Sequence, residues 1–279
     1  MSFFFSKYHG LGNNFVLVKA SEDEVESYRN LAPKVCDRNT GVGADGLILA
    51  IPKDDVDCKM IIFNADGSRP EMCGNGIRCL VHFLIDQELV SQKERLMIDT
   101  DNGVLECVAE VLDNELKSVT VDMGLPRFQK EVIPMSGSGD SLNQIYVSDG
   151  QNYNYSAVNM GNPHMVLIEH AAPANVAVLG KKMSEDPLFT EGCNVEFCKL
   201  DNSKIDVVVY ERGCGLTQAC GTGACAVAVA YAKAGHIKTG EEVEVVLPGG
   251  PLGITVADDY SKVYMKGPSE LVFEGECFL

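Results

Sequence analysis

Short apolar runs dominate the chain, and most of them have the length of β-strands. Apolar residues alternate with polar ones, or form unbroken runs of about four to eight residues between Gly, Pro, Asn and Asp, as half-buried and fully buried strands do. The predicted strands are residues 3–9, 14–20, 46–51, 57–64, 95–100, 103–111 and 116–123 in the first half, and 153–160, 164–169, 195–200, 204–211, 242–248, 252–257, 262–267 and 271–278 in the second.

Helical spacing of apolar residues occurs in four segments. Two are predicted near residues 24–37 and 174–183, and the other two begin directly after Cys73 and Cys220. The helix after Cys220 consists mainly of Ala, Val and Gly, which suits burial on all sides, and it is expected to end near Gly235. One long helix in each half, among many strands, predicts two α+β units in which a curved sheet wraps a mostly apolar helix.

The connection between the halves is predicted from composition. Residues 126–152 are rich in Pro, Gly and Ser and are interpreted as a linker with extended segments. With 279 residues and 46% hydrophobic composition, the chain can bury a large core as one domain or as two. The recurrence of one sequence frame around Cys73 and Cys220 favours two.

Charge and hydropathy exclude several classes of partner. The formal net charge of −17 disfavours binding to nucleic acid and to anionic membranes, because the electrostatic term is repulsive. No apolar run approaches the roughly 18–20 residues of a transmembrane helix, and the N-terminal residues have no secretory-signal pattern. A cytoplasmic protein without a membrane partner is therefore expected.

Cysteine usage and glycine motifs bear on metals and cofactors. The eleven cysteines are odd in number and accompany no secretory signal, so a disulfide framework is disfavoured. Their spacings lack the Cys-x2-Cys pairs of structural zinc sites, so no metal is expected. No glycine-rich phosphate loop of the Rossmann or Walker type is present, so nucleotide and nicotinamide cofactors are not expected. Pyridoxal phosphate stays open on the sequence alone, but a site with two thiol bases has no need of it.

Two cysteines carry the candidate chemistry. Cys73 begins Cys-Gly-Asn-Gly and Cys220 begins Cys-Gly-Thr-Gly, each at a predicted helix start. There, unpaired amide N–H groups and the helix dipole favour anions, so a thiolate is expected to form more easily and a carboxylate can be held nearby. A thiolate and a thiol acting on one bound carboxylate substrate suit removal of a Cα hydrogen from one face and delivery of a proton to the other.

The same helix starts offer a means to stabilise developing negative charge. The backbone N–H groups of Gly74, Asn75, Gly221 and Thr222 are candidates to bind the substrate carboxylate as an oxyanion hole does. Glycine permits this close approach because it has no side chain.

A set of motifs in order along nearly the whole chain resembles the diaminopimelate epimerase family. The motifs are HGLGNNF (9–15), RNTGVGADG (38–46), FNADGS (63–68), MCGNGIRC (72–79), NMGNPH (159–164), YERG (210–213) and QACGTGACA (218–226). Members of the family interconvert LL- and meso-diaminopimelate without a cofactor, on the route to lysine and peptidoglycan.

The resemblance implies a role for each matching residue. Cys73 and Cys220 would be the acid–base pair, and Asn13 would help hold the carboxylate at the reacting centre. His164 and Glu211 would support proton exchange at the thiols, with Glu211 also near the substrate. The distal end of the substrate would be held by four residues, with Arg212 as bidentate partner of its carboxylate: Asn64, Asn162, Asn194 and Arg212.

The resemblance also implies the domain plan and the partners. Two similar lobes would comprise residues 1–123 with 267–279, and residues 124–266, with the site in the cleft between them. The substrate would be a small molecule, and a homodimer is allowed. Three positions depart from common family patterns: Gly46 stands in place of Gln, Asn14 in place of Asp, and Leu216 in place of Glu. Because Gly46 lacks a polar side chain, no ligand contact is predicted there.

Single residues have simpler interpretations, and other functions remain open. Alone, Asn64 is typical of a turn cap, His164 of a hydrogen-bonded structural histidine and Glu211 of a solvated charge. One alternative is a racemase or epimerase of another amino acid, of the histidine or proline type. The distal residues favour diaminopimelate over these, since a buried Arg212 guanidinium without a carboxylate partner would be costly. Another alternative is a thiol redox protein that joins the two motif cysteines in a reversible disulfide.

Overall fold

The computed structural model describes residues 2–70, 72–90 and 94–278, and its chain divides into two units. The first unit comprises Met1–Val121 and Lys266–Leu279, and the second comprises Asp122–Met265. None of the helices in the described ranges combines the length and apolar composition of a membrane-spanning helix.

The first unit is built on one sheet with the strand order β17-β1-β2-β3-β4-β5-β6-β7. Most neighbours are antiparallel, and only β2–β3 and β4–β5 are parallel. The strands are β1 (Ser2–Gly10), β2 (Asn13–Lys19), β3 (Gly46–Ile51), β4 (Cys58–Asn64), β5 (Arg95–Thr100), β6 (Gly103–Leu112), β7 (Glu115–Asp122) and β17 (Glu270–Phe278).

Each parallel pair in this unit is joined through a helix, because parallel neighbours need a long crossover. Helix α1 (Val25–Cys36), preceded by a 3-10 turn at Glu22–Glu24, connects β2 to β3, and α2 (Gly74–Asp86) connects β4 to β5. Helix α2 packs against β1 and β2 and buries Ile77 and Leu80 completely. Each such side chain contributes about 1.5–3 kcal/mol relative to an exposed one.

The second unit repeats this plan. Its sheet has the order β8-β9-β10-β11-β12-β14-β15, and β13 also pairs with β12. The strands are β8 (Gln144–Ser148), β9 (Gln151–Asn159), β10 (Pro163–Leu167), β11 (Asn194–Asp201), β12 (Lys204–Glu211), β13 (Gly215–Leu216), β14 (Glu242–Leu247), β15 (Gly250–Val256) and β16 (Val263–Gly267).

The parallel pairs of the second unit are again bridged by helices. Helix α3 (Val176–Ser184) connects β10 to β11, and α4 (Gly221–Lys233) lies between β12 and β14. Nearly all of α4 is buried, because its Ala, Val and Gly side chains are small enough for strands to pack closely around it. The α+β class, with mostly antiparallel sheets and one apolar helix central to each unit, is confirmed.

The predicted linker over residues 126–152 is wrong in part. Strand β8 lies within it and forms a hairpin with β9, and Ile133 and Met135 are buried in the core of the second unit. The segment belongs to that core because its few apolar residues find partners far along the chain, which its Pro, Gly and Ser content conceals. The two-residue strand β13 was also not predicted.

Candidate active site

Cys73 begins helix α2 as its N-cap residue. Its backbone is extended, and its Sγ accepts a hydrogen bond from the N–H of Gly76 at 3.4 Å. The first intrahelical bond runs from Ile77 N to the carbonyl of Cys73, so the amides of Gly74 and Asn75 lie ahead of it. The predicted position of this cysteine at a helix start is confirmed.

A chain of side-chain hydrogen bonds surrounds Cys73. The fully buried Arg78 donates to Asn75 Oδ1 at 3.0 Å, and Asn75 Nδ2 donates to Asn13 Oδ1 at 3.1 Å. Asn13 Nδ2 in turn donates to Asp45 Oδ2 at 3.0 Å. The Sγ of Cys73 lies 3.9 Å from Asn13 Oδ1. Sequence position alone does not indicate this connection.

The two charged ends fix the orientation of both amides. A guanidinium can only donate, so Asn75 must turn its oxygen towards Arg78 and its NH2 group towards Asn13. A carboxylate can only accept, so Asn13 must turn its NH2 group towards Asp45. The oxygen of Asn13 therefore faces Cys73, and neither amide can rotate by 180° without losing a hydrogen bond.

Asn64 does not join this network. It is exposed, its Nδ2 donates to Ser68 Oγ at 2.9 Å, and its backbone bonds to Ser68 and Gly67. These contacts are those of a turn cap, the simpler interpretation of this residue.

Cys220 begins helix α4 in the same way. Its Sγ accepts the N–H of Gly223 at 3.4 Å and lies 3.6 Å from Thr222 Oγ1. A Cβ atom on Gly223 would lie 2.9 Å from Glu196 Oε1 and 3.2 Å from Cys220 Sγ, so a larger residue there would require these side chains to shift. The helix start again agrees with the prediction.

Burial and two acidic residues act on the pKa of the Cys220 thiol. Burial, followed by the charges of Glu211 and Glu196, raises the pKa of the Cys220 thiol well above its ordinary value. The hydrogen bonds from Thr222 and from the N–H of Gly223 lower this pKa less. The helix-start amide thus lowers the pKa of Cys220, as expected from the sequence, but burial beside carboxylates outweighs it and the net shift is upward.

Glu211 is the acid whose charge most affects this thiol. Its charge raises the pKa of the Cys220 thiol, and Thr217 Oγ1 donates to Glu211 Oε1 at 2.5 Å. Burial raises the pKa of Glu211, while the Thr217 hydrogen bond and the electrostatic influence of His164 lower it. The side chain is mostly buried, so the solvated charge considered from the sequence is not what this residue forms.

His164 lies completely buried between two oxygen atoms. Its Nδ1 is 2.6 Å from Glu196 Oε1, and its Nε2 is 2.8 Å from Asn162 Oδ1. The structure thus places His164 and Asn162 together, and joins both to a carboxylate that the sequence interpretation did not consider.

Arg212 and Asn194 form another contact in the second unit. Asn194 Oδ1 accepts the backbone N–H of Arg212 at 2.9 Å, and Arg212 Nη1 donates to the carbonyl of Glu191 at 2.8 Å. The Arg212 side chain is exposed in the wall of a cavity of about 530 Å3. The argument from a buried guanidinium is therefore wrong, although Nε and Nη2 have no partner within the described residues.

Four polar residues of the site were missed: Asp45, Arg78, Glu196 and Thr217. Arg78 and Glu196 did carry a signal, because each is a charged residue with apolar neighbours in the sequence, and the structure buries both side chains completely. In the described part of the chain, no three His, Cys, Asp or Glu side chains are grouped as a metal site requires.

Comparisons with known proteins agree with one another. The model of the family described as "Diaminopimelate epimerase" matches residues 5–129 and 156–272. A diaminopimelate epimerase of Carboxydothermus hydrogenoformans is 44% identical over 280 residues, covering 99% of each chain. One of Bacillus licheniformis is 40% identical over 284 residues, covering 100% of this chain and 99% of the relative.

Solved structures share the fold at low identity. A hydroxyproline epimerase from Agrobacterium vitis superposes with a TM-score of 0.68 and 16% identity, over 99% of this chain and 92% of that one. A PhzF-family phenazine biosynthesis protein from Bacillus anthracis gives a TM-score of 0.70 and 16% identity over the whole of both chains. At this identity the likeness concerns the fold alone.

Proposed function

The chain belongs to the diaminopimelate epimerase family, and we propose that it converts LL-diaminopimelate into meso-diaminopimelate without a cofactor, with Cys73 and Cys220 as the two acid–base groups. It is thus an isomerase of lysine biosynthesis that acts on a small molecule. The identity of 40–44% with named epimerases over nearly complete chains supports the activity.

The observation that carries the mechanism is the equivalence of the two helix starts. Both cysteines are N-cap residues of 13-residue helices, and both accept the N–H three residues ahead at 3.4 Å. Two thiols in the same local geometry, one in each unit, are what a reaction needs when a proton leaves one face of a carbon and another arrives on the opposite face.

The surroundings of Cys220 indicate which state each thiol starts from. Because its pKa is raised, Cys220 is protonated at neutral pH and delivers a proton to the Cα carbanion. Cys73 acts as the thiolate that removes the original Cα proton. Afterwards Cys73 holds a proton and Cys220 is a thiolate, so the reverse reaction uses the two groups in exchanged roles.

Glu211 supports proton exchange at Cys220. Its carboxylate is the proposed acceptor of the S–H proton, and because burial raises its pKa it is a stronger base than an exposed glutamate. Transfer of the proton from Cys220 to Glu211 gives a thiolate and a neutral acid, which leaves the number of charges unchanged. His164 lowers the pKa of Glu211 and so favours its carboxylate form.

Backbone amides are proposed to bind the substrate carboxylate at the reacting centre. Those of Gly74, Asn75, Gly221 and Thr222 lie in the first turns of α2 and α4, where N–H groups precede the intrahelical bonds. Negative charge that develops on the carboxylate as the proton leaves is stabilised by such donors. Asn13, with its orientation fixed, helps to hold the same group.

The distal amino-acid end of the substrate is assigned to Arg212, together with Asn64, Asn162 and Asn194. Arg212 is anchored through Nη1 to a loop carbonyl, and its Nε and Nη2 groups are the proposed donors of a bidentate contact with a carboxylate. Asn194 holds the backbone of Arg212.

A stereochemical assay tests the function. Purified protein incubated with LL-diaminopimelate under reducing conditions should produce the meso isomer, and L-proline, trans-4-hydroxy-L-proline and L-histidine should stay unchanged. Turnover of one of these alone would identify a racemase or epimerase of another amino acid. A reversible disulfide without turnover of any substrate would identify a thiol redox protein.

Substitution of Arg212 tests the distal contact. Arg212→Ala should raise KM for diaminopimelate by about tenfold or more, since a charge-assisted bidentate pair is lost. Arg212→Lys keeps the charge but not the planar fork and should have an intermediate KM. An unchanged KM in both variants would contradict the assignment.

We also propose that the chain forms a homodimer. On one face of the paired strands β1 and β17, Phe4 is 78% exposed and Phe278 is 74% exposed. Burial of aromatic side chains of this size favours association. Light scattering of the purified protein should give twice the mass of the chain, and a monomer mass would contradict this.

A further inference from the structure

Glu196 is an acid in the buried first part of strand β11. It lies in β11 between Val195 and Phe197, and its side chain is completely buried. Its Oε1 is 2.6 Å from His164 Nδ1, whereas its Oε2 is the one buried side-chain nitrogen or oxygen atom within the described ranges that has no hydrogen-bond partner. A buried carboxylate with one oxygen unsatisfied is costly to the fold, which calls for a functional reason.

The carboxylate of Glu196 also reaches the start of α4. The Cβ position at Gly223 is 2.9 Å from Glu196 Oε1 and 3.2 Å from Cys220 Sγ, so the acid borders the turn that holds this thiol. The charge of Glu196 also raises the pKa of other titratable groups. They are Glu211 on β12, Cys220 on α4, and the buried thiols Cys193, just before β11, and Cys198 on β11 itself.

Both nitrogens of His164 face oxygen atoms. One is Glu196 Oε1, and the other is Asn162 Oδ1 at 2.8 Å. A neutral imidazole carries only one N–H, whereas an imidazolium carries two and can donate to both oxygens. A carboxylate on one ring nitrogen stabilises the imidazolium and fixes the ring orientation.

We propose that Glu196 is a positioning residue for proton exchange at Cys220, which holds His164 as a buried imidazolium beside Glu211. The inference rests on the proposed function. The imidazolium keeps Glu211 ionised, so that Glu211 can take the proton from the Cys220 thiol and return it. Glu196 does not touch the substrate in this scheme; it acts through His164.

The Glu196→Gln variant tests the proposal because glutamine has the same shape and keeps an acceptor oxygen but has no charge. With the carboxylate gone, His164 becomes neutral. The pKa of Glu211 then loses two contributions. One is the lowering by His164, which is the larger, and the other is the raising by Glu196. The pKa of Glu211 rises in consequence, and the acidic limb of the kcat profile moves to higher pH.

The expected loss of kcat at neutral pH is about tenfold or more, with KM changed by less than about twofold, since proton transfer and not binding is affected. The matched control is Glu169→Gln. Glu169 is an exposed acid in the same unit whose Oε1 accepts from Leu200 N and from the Tyr231 hydroxyl, contacts that glutamine preserves. This control should leave kcat and the acidic limb unchanged.

A second readout does not depend on activity. In protein labelled with 15N-histidine, and with the His164→Asn variant used for assignment, His164 should show two protonated ring nitrogens at neutral pH in the wild type. In Glu196→Gln it should show one protonated and one unprotonated nitrogen. An unprotonated nitrogen in the wild type, or an acidic limb that stays in place or moves to lower pH in the variant, would overturn the proposal.

Failure of the proposed function and failure of the proposed role of Glu196 would give different results. If the wild type does not epimerise diaminopimelate, the proposed function is wrong, while the 15N spectrum still tests the state of His164. If the wild type is active and the spectrum of His164 is the same in Glu196→Gln, only the role of Glu196 is wrong.

Discussion

The two cysteines share a local geometry but differ in their neighbours. Each is the N-cap of a 13-residue helix, and each accepts one N–H from the first turn. Cys73 lies beside an amide, in a chain whose orientation is fixed by a guanidinium at one end and a carboxylate at the other. Cys220 lies beside Glu211, with Glu196 close by.

The difference teaches that the helix start does not by itself decide whether a thiol ionises. The amides and dipole are the same in both helices, yet the pKa of Cys220 is raised because burial and carboxylates dominate. The polar neighbours of Cys220 are acids, whereas those of Cys73 are amides.

Removal of the Cys73 or the Cys220 thiol should lower kcat more than any other substitution. Cys73→Ala and Cys220→Ala should each lower kcat by about a thousandfold or more, because an acid–base group contributes about 10²–10⁴-fold. Cys79→Ala and Cys225→Ala are matched controls, since each removes a buried thiol from the same helix, and both should stay active. Normal turnover in either of the first two variants would exclude the two-base mechanism.

The pH dependence of kcat tests the role of Glu211 beside Cys220. The Thr217 hydroxyl lowers the pKa of Glu211, so Thr217→Val should raise that pKa and move the acidic limb of kcat to higher pH. Thr217→Ser keeps the hydroxyl and should restore the wild-type profile. If the valine variant has an unshifted limb, Glu211 is not the group that titrates.

Disruption of the hydrogen-bonded amides near Cys73 should lower kcat/KM by a smaller factor. Asp45→Ala removes the acceptor that fixes Asn13, and kcat/KM should fall by about tenfold through loss of orientation. Asp45→Asn keeps an acceptor oxygen for Asn13 and for the backbone N–H of Asn14. It loses only the contact with the exposed Arg38, so most of the activity should remain. Equal activity of the alanine variant and the wild type would show that orientation of Asn13 is unimportant.

Elements with a strong local pattern could be predicted from the sequence. Strands β3 and β4 are nearly continuous apolar runs, and helices α2 and α4 follow glycine turns with helical spacing. Strand β8 was missed because only its pairing with β9 makes it a strand, and its sequence context resembles a loop. Such strands depend on contacts that local composition does not encode.

The reactive cysteines of the site could be predicted from the sequence, but most of the contacts of the residues that support them could not. The cysteines stand out because one frame occurs twice, whereas Arg78 obtains a partner from Pro268, which lies 190 residues away along the chain. Likewise Glu196 and His164 meet only because β10 and β11 are neighbouring strands. The ionisation of Cys220 could not be predicted, since it depends on burial and on acids from other strands.

Reaction in D2O tests the two-base mechanism most directly. LL-diaminopimelate should be incubated with the enzyme to low conversion, and the deuterium content at Cα measured separately in the meso product and in the remaining substrate. Because one thiol keeps the proton it removes while the other delivers deuterium, the product should contain deuterium and the remaining substrate should contain almost none. Equal labelling of substrate and product, or a product without deuterium, would contradict the account.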